Sequence, residues 1–442
     1  MTRFWAFRLF ERIIRGVQPP TREPTTILRG GRLLQQLVVD CWASAEQLKL
    51  RWIRTNQGSI RADLYQGLVD ALQSDDLDAS HIGRRIVLPS SFTGSDRHMS
   101  QLYQDSMAVA RKYGPATYFI TVTANPHWGE IQSALLPGQQ ANDCPELVSR
   151  VFHRKLTLLL KHLKKVFGKQ LAQVHVIEFQ KRGLPHSHIL LWVTPEYKPH
   201  TAEALDKVGI LPTPNSQSIE LTISPKVISA KIPDPHKRRL YELVTSQMIH
   251  HCSPQRCLDQ NGKCRKGFPK AFCEETSMDD NRYPTYARPQ NGNIHRITHQ
   301  NDQGQQQEII FTNQHVVPYN PHLTLLLGCH VNVEFCANLL GSIKYIHKYI
   351  SKGPDRATIF ISADGAADEI RHYEDCRYIG PHEAIWRILH FSMHGLTPNV
   401  YWLQLHLKGE HYVYFNPEGG LEAAVHQGRN VRTMLEAFYI VS

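Results

Sequence analysis

The chain of 442 residues has no Gly-x-x-x-x-Gly-Lys-Ser/Thr phosphate loop; Gly168-Lys169 and Gly262-Lys263 lack both the upstream glycine and the following hydroxyl residue. Without that backbone cradle and its Mg2+-binding hydroxyl, a P-loop ATPase motor is excluded from this sequence. No run of eighteen apolar residues occurs, so no membrane span is expected. The nine cysteines are odd in number, unevenly spaced and preceded by no secretory peptide, which argues against a disulfide framework and for a reducing compartment. Acidic side chains are the scarcer sign, 40 against 50 Lys and Arg, and the net charge of +10 is in the direction expected of a phosphate-binding protein. The length suffices for a sizeable core and predicts two to three domains.

What is present is concentrated in Glu178-Phe-Gln-Lys-Arg-Gly-Leu-Pro-His186-Ser-His188. Side chains two apart on a strand share a face, so His186 and His188 point together and Ser187 points away. The β-branched and aromatic run ending at Phe179, followed by the turn-forming Gly183 and Pro185, predicts a hairpin. Glu178 would then face the two imidazoles, with Gln180, of the same parity, as the competing third ligand. Two histidines and a carboxylate read as a divalent-metal site.

A second signal lies between Val331 and Lys352, read as a helix closed by Gly353-Pro354. Tyr345 and Tyr349 are one turn apart, roughly 6 Å between β-carbons, and Lys344, Lys348 and Lys352 repeat beside them. The basic stripe asks for a polyanion. A metal and paired phenols together suit attack of a tyrosine on a DNA phosphodiester, the cation acting as Lewis acid. The facial triad of iron oxygenases uses the same metal residues but leaves the tyrosines and lysines without a role.

Elsewhere, residues 33–73 read as helices, and Arg84 and Arg85 belong to a basic, aromatic-interleaved stretch that could track a strand backbone. From Met99 to Pro195 the order helix, strand, helix, strand, strand predicts an α+β fold around an antiparallel sheet. Asn125 and Trp128, in the loop after the first strand, are candidate DNA contacts, with Trp128 as a plug of the sheet edge the alternative. His250, Cys252, Cys257 and Cys264 have the composition of a structural Zn2+ site, with Lys263, Arg265, Lys266 and Lys270 close by.

At Glu178–His188 and Lys344–Tyr349, and at Ile27–Leu33, Arg61–Tyr65, Gly83–Gly94, Tyr118–Pro126 and Lys352–Ala357, the chain resembles the Rep nuclease region of Helitron rolling-circle transposases, the Helitron helicase-like domain of the HUH endonucleases. The resemblance runs from about Thr26 to the C-terminus. Ala124 stands where a Cys is expected and Ser351 where an aromatic is frequent. The resemblance implies an HUH-type antiparallel sheet flanked by helices, with residues 1–98 a helical DNA-contacting region, 99–225 the first part of the nuclease core, 226–330 the Cys/His insert, 331–357 the tyrosine helix and 358–442 a connecting region. It implies Mg2+ or Mn2+ on His186, His188 and a third ligand, Tyr345 and Tyr349 as nucleophiles, and Arg182 in the hairpin turn as a DNA contact. The expected activity is nicking and joining of single-stranded DNA at transposon ends through a 5′-phosphotyrosine, in the nucleus, with a helicase domain or chain as partner. The alternative is a catalytically inactive, transposon-derived fragment that binds single-stranded DNA.

Overall fold

The computed structural model describes residues 2–9, 26–57, 62–64, 86–179, 183–206, 227–253, 257–279, 283–300, 306–336, 368–401, 403, 405–407, 410–415, 419–429 and 432–441. In chain order the elements used below are α1 (Arg32–Thr55), β1 (Ala62–Leu64), α2 (Asp96–Tyr113), β2 (Tyr118–Thr123), α3 (Pro145–Phe167), β3 (Gln170–Phe179) and β4 (Pro185–Val193). They continue with α4 (Arg238–Gln247), β5 (His295–Gln300), β6 (Gln306–Phe311), α5 (Pro321–Leu327), β7 (Val331–Phe335), α6 (Glu369–Cys376), α7 (Pro381–Ile388), β8 (His394–Thr397) and β9 (Tyr412–Tyr414). None of the described helices is long and apolar enough to cross a membrane.

The fold is the expected mixture of helices around an antiparallel sheet, five strands in the order β8-β3-β4-β2-β7. Strand β4 is buried along its whole length, which is why its second half, Ile-Leu-Leu-Trp-Val, is continuously apolar instead of alternating. One sheet face carries Ile120, Val122, Ile189, Leu191 and Val333 and is covered by α3. Val148, Phe152, Leu156, Leu159 and Leu163 recur at three- and four-residue spacing and make the covering stripe of that helix. The other face carries Phe119, Val174, Leu190 and Trp192 against Val109 and Ala110 of α2, whose first turn is capped by the Ser95 hydroxyl accepting from His98 N. His186 and His188 share the parity of Leu190 and Trp192, so they belong to this second face.

Three readings are corrected by the fold. Ala62–Leu64, expected to open a helix, is a strand antiparallel to β9, and the rest of that segment up to residue 85 lies outside the described residues. Val331–Phe335, placed at the start of the tyrosine helix, is the edge strand β7; Val-Asn-Val-Glu-Phe alternates buried and half-buried side chains, and the period of two wins. The region after residue 358 is more than a connection. Strand β8 pairs with β3 and completes the sheet, and α7 inserts Trp386 into the main core, where it is fully buried. The same helix packs Ala384, Ile385 and Ile388 against Leu34, Val38 and Trp42 of α1.

Candidate metal centre

The turn between β3 and β4 brings Glu178 directly opposite His186, as the hairpin reading requires. Gly183 holds φ +84° in that turn, and a β-carbon there would meet His382 Nδ1 of α7 at 2.8 Å, so only glycine fits. On the far side β2 sets Thr123 opposite His186 and Thr121 opposite His188. Both histidines are buried, at 8% and 5% exposure.

Each imidazole is oriented by a second partner. His186 Nδ1 is 3.0 Å from the Leu184 carbonyl, which can only accept, so Nδ1 carries the proton and Nε2 keeps its lone pair. Burial pushes the His186 pKa down to about 4, with the neighbouring His188 and His330 adding to the effect and the Leu184 bond and Glu178 opposing it; the ring is neutral, as a ligand must be. His188 Nδ1 is 3.0 Å from Thr121 Oγ1, and its ring lies parallel to Phe119 at 5.7 Å. His188 Nε2 is 3.1 Å from Glu178 Oε2. That separation is close to the roughly 3 Å between neighbouring ligand atoms of one octahedral cation bonded at about 2.0–2.1 Å. It is equally the length of the direct hydrogen bond that joins the two side chains, and among the described residues the group whose ligand atoms come together for a metal is the His/Cys cluster described below.

The three side chains open into a cavity of about 930 Å3. Strand β7 supplies Asn332 and Glu334 to its wall, and His330 lines it just before that strand. Residues of the insert 226–330, among them His250, Lys266, Lys270 and Arg288, line it as well. That insert has a small core of its own, Ile232, Val244, Met248, Val316 and Tyr319, and joins the sheet through a bridge from Tyr319 to Asn332. The β5–β6 hairpin flanks it, and Arg288, buried in it, donates to the Val316 carbonyl at 2.8 Å.

His250, Cys252, Cys257 and Cys264 come together in this insert with one ligand atom each, all within 4.8 Å of one another. The Cys264 thiol and His250 Nε2 are 3.4 Å apart. Backbone bonds from Arg265 N to Cys257 O and from Gly267 N to Cys264 O fold the loop back on itself, so the cluster does not depend on a regular element. Burial, together with Lys266 and its neighbours, lowers the His250 pKa to about 4 and keeps this imidazole neutral too. The cluster could hold a metal such as zinc, whose tetrahedral sites are built from these ligand types.

The candidate DNA contacts Asn125 and Trp128 have structural partners. Asn125 Nδ2 donates to Gly328 O at 2.8 Å and Trp128 Nε1 to Leu327 O at 2.7 Å, so their loop satisfies carbonyls left open at the C-terminal end of α5. Both side chains are buried. Gln180, Arg182, Arg84, Arg85, Lys344, Tyr345, Lys348, Tyr349 and Lys352 lie outside the described residues.

Sequence reasoning missed Thr121, His330 and the roles of Lys266 and Lys270 in the cavity wall. Thr121 had a usable signal, since it shares strand parity with Phe119 and Thr123, but its pairing with His188 needs the strand order. The other three have no local pattern that marks them.

No curated protein matches the chain. Residues 9–191, which include α1, β2, α3, β3 and most of β4, match the family described as the Helitron helicase-like domain at N-terminus. Over those residues the chain is similar to the Helitron helicase-like family, which supports a transposon-derived function and suggests an interaction with DNA.

Proposed function

We propose that this chain is a metal-dependent endonuclease and strand transferase for single-stranded DNA in rolling-circle transposition, with Mg2+ or Mn2+ held by His186, His188 and Glu178. The observation that carries the reading is the His188–Glu178 pair at 3.1 Å, in register with His186 on the wall of an open cavity. When bound there, a divalent cation supplies Lewis acidity to the non-bridging oxygens of a phosphodiester. The protein residues position it: Thr121 and Leu184 O fix the two rings, and burial keeps His186 neutral.

Tyr345 or Tyr349 is the proposed nucleophile. Its phenolic oxygen bonds to phosphorus as the bond from phosphorus to the 3′ oxygen breaks, and the phenolic proton ends on the released 3′ hydroxyl. A 5′-phosphotyrosine remains; no water is consumed, so the ester can be passed to a second strand end. Support comes from the route of the chain as well as from spacing. Cys336 lines the cavity nine residues before Tyr345, a tether that extends at most about 30 Å. Lys344, Lys348, Lys352, Arg84, Arg85 and Arg182 are proposed as backbone contacts to transposon ends. A helicase domain or second chain would supply unwinding, and the nucleus is the proposed site of action.

The test is a denaturation-resistant adduct with a labelled single strand in Mn2+. It is expected with the wild-type chain and with Tyr378→Phe, and to vanish in Tyr345→Phe combined with Tyr349→Phe and in His186→Ala. A wild-type chain that binds the strand but makes no adduct would establish the noncatalytic alternative.

A further inference from the structure

The geometry points to a second, zinc-held half of the strand-binding chamber: a Zn2+ ion on His250, Cys252, Cys257 and Cys264 fixes the loop that presents Lys266 and Lys270 to the backbone phosphates of the single strand entering the His186–His188–Glu178 site. The strand's identity as DNA to be cut rests on the function proposed above; the zinc site and the phosphate grip rest on their own observations.

The first observation is that the ligand cluster and the lysines share one short loop. Lys266 follows Cys264 by two residues, and Lys270 Nζ folds back onto the Lys266 carbonyl at 3.1 Å and over the Phe268 ring at 5.2 Å. His250 stacks on the same ring at 4.4 Å, and the Arg288 guanidinium lies over it at 6.0 Å. A metal on His250 would therefore immobilise Phe268, and with it the Lys270 stem. The loop is otherwise polar and exposed and has little apolar burial to order it, which is the circumstance in which an internal metal stabilises a fold.

The second observation is electrostatic. Lys266, Lys270, His330 and the two histidines His186 and His188 line one cavity. Among the described residues neither ammonium is within ion-pair distance of a carboxylate. Two exposed cations that line the same cavity as a cation site share an anion with it as their natural partner, and a phosphodiester backbone running through that cavity can meet both. Tyr283, half-exposed on the same wall, offers a ring for base stacking, which favours a single strand over a free phosphate.

The experiment measures zinc content and binding of a labelled thymidine 20-mer without added Mn2+, so cutting plays no part. One zinc per chain is expected as purified, and its loss in Cys257→Ser combined with Cys264→Ser. Lys266→Ala combined with Lys270→Ala should keep the zinc and the melting temperature, weaken binding by tenfold or more, and reduce the slope of log K against log salt by about 1.4. Lys112→Ala should change neither. The wild-type chain should lose most affinity for a strand with neutral methylphosphonate linkages. Zinc well below one per chain would overturn the metal site even if the cysteine variant fails to fold. Wild-type affinity and salt slope in the lysine variant would overturn the grip. A chain that meets these expectations but forms no phosphotyrosine adduct would refute the nuclease reading and leave this one standing.

Discussion

Thr121 and His188 are cross-strand partners on β2 and β4, and the Thr121 hydroxyl lies 3.0 Å from His188 Nδ1. Without a cation, the Nε2 proton can serve Glu178 while Nδ1 accepts from the hydroxyl. With a cation on Nε2 the proton must sit on Nδ1, and the hydroxyl becomes the acceptor. Thr121 can serve both states because a hydroxyl both donates and accepts. Thr121→Val should therefore weaken Mn2+ binding by about 10- to 100-fold, and Thr121→Ser should restore most of it, as read by titration calorimetry. Unchanged affinity in the valine variant would remove Thr121 from the centre.

Trp128 separates a structural from a nucleic-acid role. Its indole N–H donates to Leu327 O in a buried setting. Trp128→Phe should lower the unfolding free energy by roughly 1–3 kcal/mol, the cost of leaving a buried carbonyl unpaired, with affinity for a single strand unchanged. A loss of affinity at wild-type stability would assign the side chain to DNA instead.

Acid should loosen the support of the β3–β4 hairpin. His382, buried against Gly183, has its pKa pushed down to about 4 by burial, below the value near 6.5 of an unfolded chain. The unfolded state thus binds the extra proton first, so the stability this group contributes is present above pH 6.5 and is lost as pH falls toward 4. Between pH 7 and pH 5 the loss from this one group is about 2 kcal/mol. His382→Asn should flatten the pH dependence of urea unfolding over that window by a similar amount; an unaltered dependence would show that other groups set it.

The C-terminal segment should behave as core. Trp386→Ala removes a fully buried indole from the cluster on α3 and should cost about 3–5 kcal/mol by denaturant unfolding. Glu383 on the same helix accepts from Arg377 at 2.9 Å and from Arg387 at 3.1 Å. Burial favours its protonation, but the two guanidiniums prevail and hold its pKa below the ordinary carboxylate value. Glu383→Gln leaves both cations short of their counter-charge and should destabilise by a comparable 3–5 kcal/mol. Wild-type stability in either variant would detach this segment from the domain.

The α+β class, the hairpin and the shared face of His186, His188 and Glu178 were legible because each follows from a local period or a turn within a dozen residues. The Cys/His cluster was legible by composition alone, since its ligands lie close in sequence although they fit no standard spacing. Misreadings fell where a short run satisfies two periods: Ala62–Leu64 and Val331–Phe335 became strands because a partner strand was available, which their own side chains do not announce. Sequence by itself determined which groups could bind a cation, and on which side of their strand they stand, because a two-residue repeat admits only one answer. Only the tertiary structure decided that Thr121 would orient one of those rings, that α7 would pack His382 against Gly183, and that a loop from the insert would line the same cavity with two lysines. Those contacts join positions tens to hundreds of residues apart, and they arise from strand order and from burying apolar faces, which no local pattern encodes.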